Sequence, residues 1–277
     1  ILVDGTLTFN SLQSVKATDK TVIGLKGAKI YAPGQSSSAS GAIYFKDGSK
    51  NIIIRNLTFE GPGAYDCDGD DLLCFDGVTN AWVDHCDFQD GCDGNFDNKG
   101  NTDNITVSWC RFRYLKKPKA GGPGGTDDHR YTNLVGADAS DKPKDGRYNM
   151  TWAYCWWDEG CVERMTRCRN ANLHFLNCYW KSSVAKCYIG PENVTCYLDG
   201  CTMEGSIKTS KRFSSDYGGT NSLKSVDCVG VPSNTGSVTK PSYSYTALGA
   251  AEAKTRITDA SCGAGATLIV NDDGSVS

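Results

Sequence analysis

Five nine-residue segments of this chain fall on one pattern: NIIIRNLTF from Asn51, NAWVDHCDF from Asn80, NITVSWCRF from Asn104, NMTWAYCWW from Asn149 and NLHFLNCYW from Asn172. Each opens on Asn, with an apolar residue three places on, Cys six on (Leu57 in the first) and an aromatic eight on. A looser sixth copy, NVTCYLDGC, starts at Asn193, and successive starts are 29, 24, 45, 23 and 21 residues apart. A repeat of this size signifies a solenoid, in which each coil buries its inner face only against its neighbours. The alternation within each copy is that of a short strand. Neither a leucine framework nor helical segments accompany it. The expected fold class is therefore all-β, a parallel β-helix whose +6 and +8 residues point inward and stack from coil to coil. The recurrent Asn suits a left-handed bend between strands, because its short side chain tolerates that conformation.

The register makes Cys86, Cys110, Cys155 and Cys178 an internal stack of small reduced residues. The chain has 14 cysteines, an even count that suits an oxidising compartment. Cys67, Cys74, Cys92, Cys161, Cys168, Cys187, Cys196, Cys201, Cys228 and Cys262 lie outside the clear stack and are the disulfide candidates, with pairing left open.

A length of 277 residues fits one repetitive β domain, 1–277, with clear repeats from about 20 to 205 and a tail over 206–277. An Ala-rich stretch in that tail is expected to form a helix packed outside. The 45-residue gap holds Gly-, Pro- and charge-rich sequence over 115–147, which reads as long loops on one face, where function usually sits. With 29 Lys and Arg against 32 Asp and Glu, no broad basic field exists to collect nucleic acid. No apolar run approaches the roughly 20 residues of a membrane span. A soluble monomer is expected, with its opening ILVDGTLTF a processed or trimmed edge.

Two stretches carry the chemistry. Asp93 and Asp97 lie four apart around Gly94, and Asp84 lies in the preceding strand. If the three converge on the outer face, their carboxylates repel strongly and a hard cation resolves the repulsion. Oxygen-only ligation suits Ca²⁺ better than Zn²⁺, and His85, His129 and His174 are scattered. The plain alternative is a turn built from Asp and Gly. Further on, CVERMTRCR over 161–169 holds Arg164, Arg167 and Arg169. A solvated basic strand is the ordinary reading of such a run, but guanidinium groups also clamp carboxylates. Acids holding a cation on one coil, with arginines some coils along, describe a groove for an anionic sugar polymer.

At these residues the chain resembles the polysaccharide lyase family 1 pectate lyases. The resemblance rests on NIIIRNLTF, WVDHCDFQDG, DGNFD, ITVSWCRF, NLVGADASD and ERMTRCR followed by HFLNCYW, with the PSYSYTAL and DASCGAGATL tail also similar. It implies a right-handed parallel β-helix, a protein secreted to the extracellular space (or to the periplasm or cell surface of a bacterium), and Ca²⁺-assisted β-elimination of 1,4-linked polygalacturonate. It also implies that Asp84, Asp93 and Asp97 bind Ca²⁺, that Arg164 is the catalytic base and that Arg169 binds the substrate carboxylate. Two departures stand out. Thr166 replaces the Pro of the family's R-x-P-x-x-R element, and Tyr131 stands where the family has a substrate-binding Lys, so that Arg130, or less readily Lys119, is expected to supply that charge. Because a guanidinium acts as a base only when deprotonated, activity is expected to peak well above neutrality. A pectin lyase acting on methyl-esterified polymer without Ca²⁺ is the nearest alternative, and a non-catalytic β-helix that binds pectic polymer the more distant one. The Gly-His-Gly element of the hydrolytic polygalacturonases is absent.

Overall fold

The computed structural model describes residues 1–277. Its strands are short, pair in parallel with the equivalent strands of neighbouring coils, and lie on three faces. The first face carries the repeat itself, from Thr18–Gly24 through Lys50–Arg55, Thr79–Asp84, Asp103–Ser108 and Tyr148–Ala153. The second runs from Thr6–Thr8 through Thr58–Glu60, Asp87–Gln89, Arg111–Arg113, Trp156–Trp157 and Tyr179–Trp180 to Thr202–Met203. The third carries Gln13–Val15, Ile43–Phe45, Leu73–Asp76, Phe96–Lys99 and Leu134–Val135. Two ten-residue strands, Arg167–Leu176 and Gly190–Asp199, turn the corner between the third and first faces without a break. They join those two faces into one 14-stranded sheet, while the second face remains a separate eight-stranded one.

Register follows the sequence pattern, because a slip by one residue would turn every inward side chain to solvent. Ala81 pairs with Ile52 and Ile105, Ile105 with Met150, and Asn149 with Asn172. The +8 residues form a continuous inner stack: Phe59 on Phe88 at 4.8 Å, Phe88 on Phe112 at 5.2 Å, Phe112 on Trp157 at 5.6 Å and Trp157 on Trp180 at 4.7 Å between ring centroids. All belong to one core cluster of 47 buried residues.

The sixth copy needs correcting. Asn172 pairs with Thr195, and Asn193 lies level with Asn170, so the copy begins two residues later than Asn193 suggests. Its +6 residue is Cys201, whose Sγ accepts the Cys178 N–H at 3.3 Å, and Cys228 continues the column by accepting the Cys201 N–H at 3.2 Å. Cys201 and Cys228 are thus stack members, although the sequence places them among the disulfide candidates. All 14 cysteines are free thiols in this structure, and twelve of them are buried. The Asn bend occurs at Asn51, Asn80 and Asn104 with φ of 56–58°. The coils of Asn149 and Asn172 instead have their left-handed residues at Gly146 and Asn170.

The tail crosses the outside of the first face, where Tyr243 Oη hydrogen-bonds Thr151 and Tyr245 Oη donates to Asp199. The helix Ala250–Ile257 then buries Ala253 and Ile257 against Tyr179. No helix is long and apolar enough to cross a membrane.

Candidate active site

The loops that enter the third face bring three acids and one unpaired arginine together. Asp97 lies on the strand Phe96–Lys99 and accepts the Leu134 N–H at 2.8 Å from the next coil. Asp93 lies in the preceding loop, with its side chain 23 % exposed. Asp71 enters from the coil below, just before Leu73–Asp76, close enough to Asp97 and Asp93 to be repelled by both. The three approach closely because the chain between Asp93 and Asp97 passes through Gly94, where a Cβ would lie 2.3 Å from Asp71 Oδ1. Any larger residue there would have to push the Asp71 carboxylate aside.

Asp71 and Asp97 are each 7 % exposed, and neither has a Lys or Arg within ion-pair distance. Their electrostatics show the cost. Burial, then repulsion from Asp97 and Asp93, pushes the Asp71 carboxyl well above the usual carboxylate range. Burial and then Asp97 push Asp93 up to about 6. Burial also raises Asp97, with Arg164 opposing it. Buried carboxylates without a compensating cation are expensive to ionise. This all-oxygen, uncompensated donor set fits a hard divalent cation such as Ca²⁺. Lys99, two residues past Asp97, has its pKa raised by Cys74, Asp71 and Asp97 against the opposing effect of burial.

Arg164 stands beside this cluster. Its backbone is left-handed (φ 57°), and its carbonyl is held by the Asn133 N–H at 2.7 Å and by the Thr132 hydroxyl. The guanidinium lies over the Tyr131 ring at 4.8 Å and makes no ion pair within 4 Å, unlike its neighbours. Arg167 and Arg169 both bond Glu192, Arg167 at 2.5 Å and Arg169 at 3.2 Å, and Arg169 Nη1 also donates to the Gly136 carbonyl at 2.7 Å. Arg169 therefore has its charge partly spent.

Two of the six site residues expected from sequence lie elsewhere. Asp84 ends a first-face strand, level with Arg55 and Ser108 on adjacent coils. It accepts from Arg55 Nε at 2.9 Å and from Ser108 Oγ at 2.5 Å, and His85 Nδ1 is 2.9 Å away. Although burial works against it, His85, Ser108 and Arg55 hold this carboxyl below its ordinary value. Asp84 is a tied structural acid of another face, and Asp71 takes the third place in the cluster. Arg130 is likewise engaged, bidentately, by its neighbour Asp128 at 2.6 and 2.7 Å, and is not offered to the groove. The residue before it, His129, is the one directed at Asp93.

Comparison with known proteins bears on the fold and the family. The profile of the family described as pectate lyase matches residues 4–267. A pectate trisaccharide-lyase of Thermotoga maritima is 32 % identical over 188 residues, which is 65 % of this chain and 45 % of that protein. The chain thus spans under half the length of that relative. A probable pectate lyase B of Aspergillus terreus is 28 % identical over 265 residues, 90 % of this chain and 71 % of that one. Among solved structures, the pectate lyase of Bacillus sp. N165 in complex with trigalacturonate superposes with a TM-score of 0.67 at 21 % identity, covering 96 % of this chain and 85 % of that one. A Bacillus subtilis pectate lyase variant gives 0.71 at 19 % identity, covering 93 % and 70 %. A profile match across nearly the whole sequence, together with the same coiled fold, makes this chain a member of the pectate lyase family.

Proposed function

We propose that the protein cleaves 1,4-linked polygalacturonate by β-elimination, with Asp71, Asp93 and Asp97 holding Ca²⁺ and Arg164 acting on the C5 proton. The observation that carries this reading is a guanidinium without a carboxylate partner, fixed next to two buried carboxylates and one half-buried one, Asp93, that lack a cation. A bound Ca²⁺ supplies positive charge that offsets the uronate carboxylate and makes the adjacent C5–H more acidic. Arg169 donates to that carboxylate through Nη2, which neither Glu192 nor the Gly136 carbonyl engages, and so orients the sugar. Deprotonated Arg164 takes the C5 proton. The C5 electron pair forms the C4–C5 double bond as the C4–O bond breaks, and the departing oxygen is protonated by water. The Tyr131 ring fixes the guanidinium in the meantime. Because only the deprotonated fraction of Arg164 is competent, the rate rises into the alkaline range. A polymeric substrate of the plant cell wall also implies work outside the producing cell, by a secreted protein.

The test is incubation with polygalacturonate at alkaline pH, with Ca²⁺ or with chelator, following the ultraviolet absorbance of the unsaturated product. Arg164→Ala is expected to reduce turnover by about 10²–10⁴-fold with the fold unchanged. Reducing-end release without the ultraviolet signal would mean hydrolysis, and polymer retention without cleavage would mean a binding module.

A further inference from the structure

His129 is caught between two carboxylates and bonded to neither. Its Nδ1 lies 3.4 Å from Asp66 Oδ2 and its Nε2 3.6 Å from Asp93 Oδ1. Both separations exceed an N–H···O hydrogen bond. The residue is 6 % exposed, yet both ring nitrogens are without a hydrogen-bond partner. Buried polar atoms are normally satisfied, so two orphaned nitrogens aimed at acids call for a ligand. One ring nitrogen and one oxygen from each of Asp66 and Asp93 already lie within 4.8 Å of one another, a span that small side-chain rotations close onto one ion.

The cradle is built for this. Asp66 is 5 % exposed, its carboxylate accepts the Thr126 N–H at 2.8 Å, and its carbonyl accepts the Gly124 N–H at 3.1 Å. A Cβ on Gly124 would lie 1.9 Å from Asp66 Oδ1, so the glycine-rich run over 121–125 closes directly over the carboxylate. The same loop delivers His129.

We propose that Asp66, Asp93 and His129 form a second divalent-cation site, which takes a first-row transition ion of the Zn²⁺ class in preference to Ca²⁺. Imidazole with two carboxylates suits such an ion, whereas Ca²⁺ takes oxygen ligands. Three protein ligands leave a position open to water or to a substrate oxygen. Occupancy ties the 121–131 loop to the coil of Asp93. It also sets positive charge beside Tyr131, whose ring lies 4.2 Å from that of His129 and beneath Arg164. The site depends on the Ca²⁺ reading only through the shared Asp93.

The test uses the full chain, stripped with chelator, resaturated with Ca²⁺ and titrated calorimetrically with Zn²⁺, with bound metal counted by mass spectrometry and its ligands read by X-ray absorption. Expected is one Zn²⁺ per chain with nitrogen and oxygen ligands and an imidazole signature. His129→Gln and Asp66→Asn should each weaken Zn²⁺ by at least about tenfold while the Ca²⁺-induced rise in Tm stays as in the wild type. If His129→Gln does not fold, Asp66→Asn carries the same expectation. Asp97→Asn should do the reverse, losing Ca²⁺ and keeping Zn²⁺, which separates failure of this site from failure of the Ca²⁺ reading. Three results would overturn the proposal: no Zn²⁺ uptake, unchanged affinity in the two site variants, or sulfur ligation, for which the Cys67 and Cys92 thiols 3.4 Å apart are the obvious source.

Discussion

Replacing Asp97 with Asn is expected to stabilise the metal-free protein and, in the same variant, to abolish its stabilisation by Ca²⁺. Asp97 is the leading charged neighbour that pushes up both Asp71 and Asp93. A carboxyl with a raised pKa binds more protons in the native state than in the unfolded chain. Stability therefore falls as pH rises from the unfolded value toward the folded one, and the deficit is complete above it. For Asp93, moving from 3.8 to about 6 amounts to roughly 3 kcal/mol against the ionised native state at about pH 8. Desolvation accounts for part of this and survives the substitution, so the relief is on the order of 1 kcal/mol, or about 2–4 °C in Tm for a chain of this size. Asn keeps an oxygen to accept the Leu134 N–H. At about pH 3, below both values, the gain should vanish. The wild type, by contrast, should gain about 2.7 kcal/mol at a Ca²⁺ concentration 100 times Kd, and the variant little or none. Thermal unfolding of both proteins at the two pH values, with Ca²⁺ and with chelator, measures all four quantities. A variant destabilised equally at both pH values, or one that still responds fully to Ca²⁺, would refute the account of the cluster as mutually repelling acids awaiting a cation.

Other outcomes follow from the same structure. Asp84→Asn should leave the Ca²⁺ response intact but cost about 1–3 kcal/mol near neutrality, because it weakens the buried bonds to Arg55 and Ser108. Since this carboxyl is held below its ordinary value, the cost should shrink as pH falls through that folded value, which urea unfolding across the acid range can follow. Phe112→Ala removes the ring between Phe88 and Trp157 and should destabilise by about 3–5 kcal/mol in urea titrations, since neighbouring coils hold the gap open.

Much of the solenoid was legible because its signal is local and repeated. Inward positions must be apolar in every coil, so Asn51, Asn80, Asn104, Asn149 and Asn172 announce the register, and Phe59 through Trp180 announce the stack. Legibility ended where a coil departed from that pattern. In the sixth coil Asn193 occupies the left-handed bend level with Asn170 and not the repeat position of Asn172, so the true start fell two residues later, at Thr195, and Cys201 was displaced with it.

The site divides in the same way. Asp93, Asp97 and Arg164 belong to compact motifs, and chain geometry alone keeps the two acids near each other. Asp71 lies one coil earlier, in a run of acids that resembles an ordinary turn, and only stacking along the third face sets it against Asp97. Asp84 fits the motif equally well on paper, but the bend after its strand consigns it to another face and to Arg55. Backbone direction likewise aims His129 at Asp93 and leaves Arg130 to Asp128. Periodicity along the chain thus determined the coil and its buried column. Which outward side chains meet depended on how the corners align successive turns, a relation between residues a coil or more apart, such as His129 and Asp93, that no local pattern records.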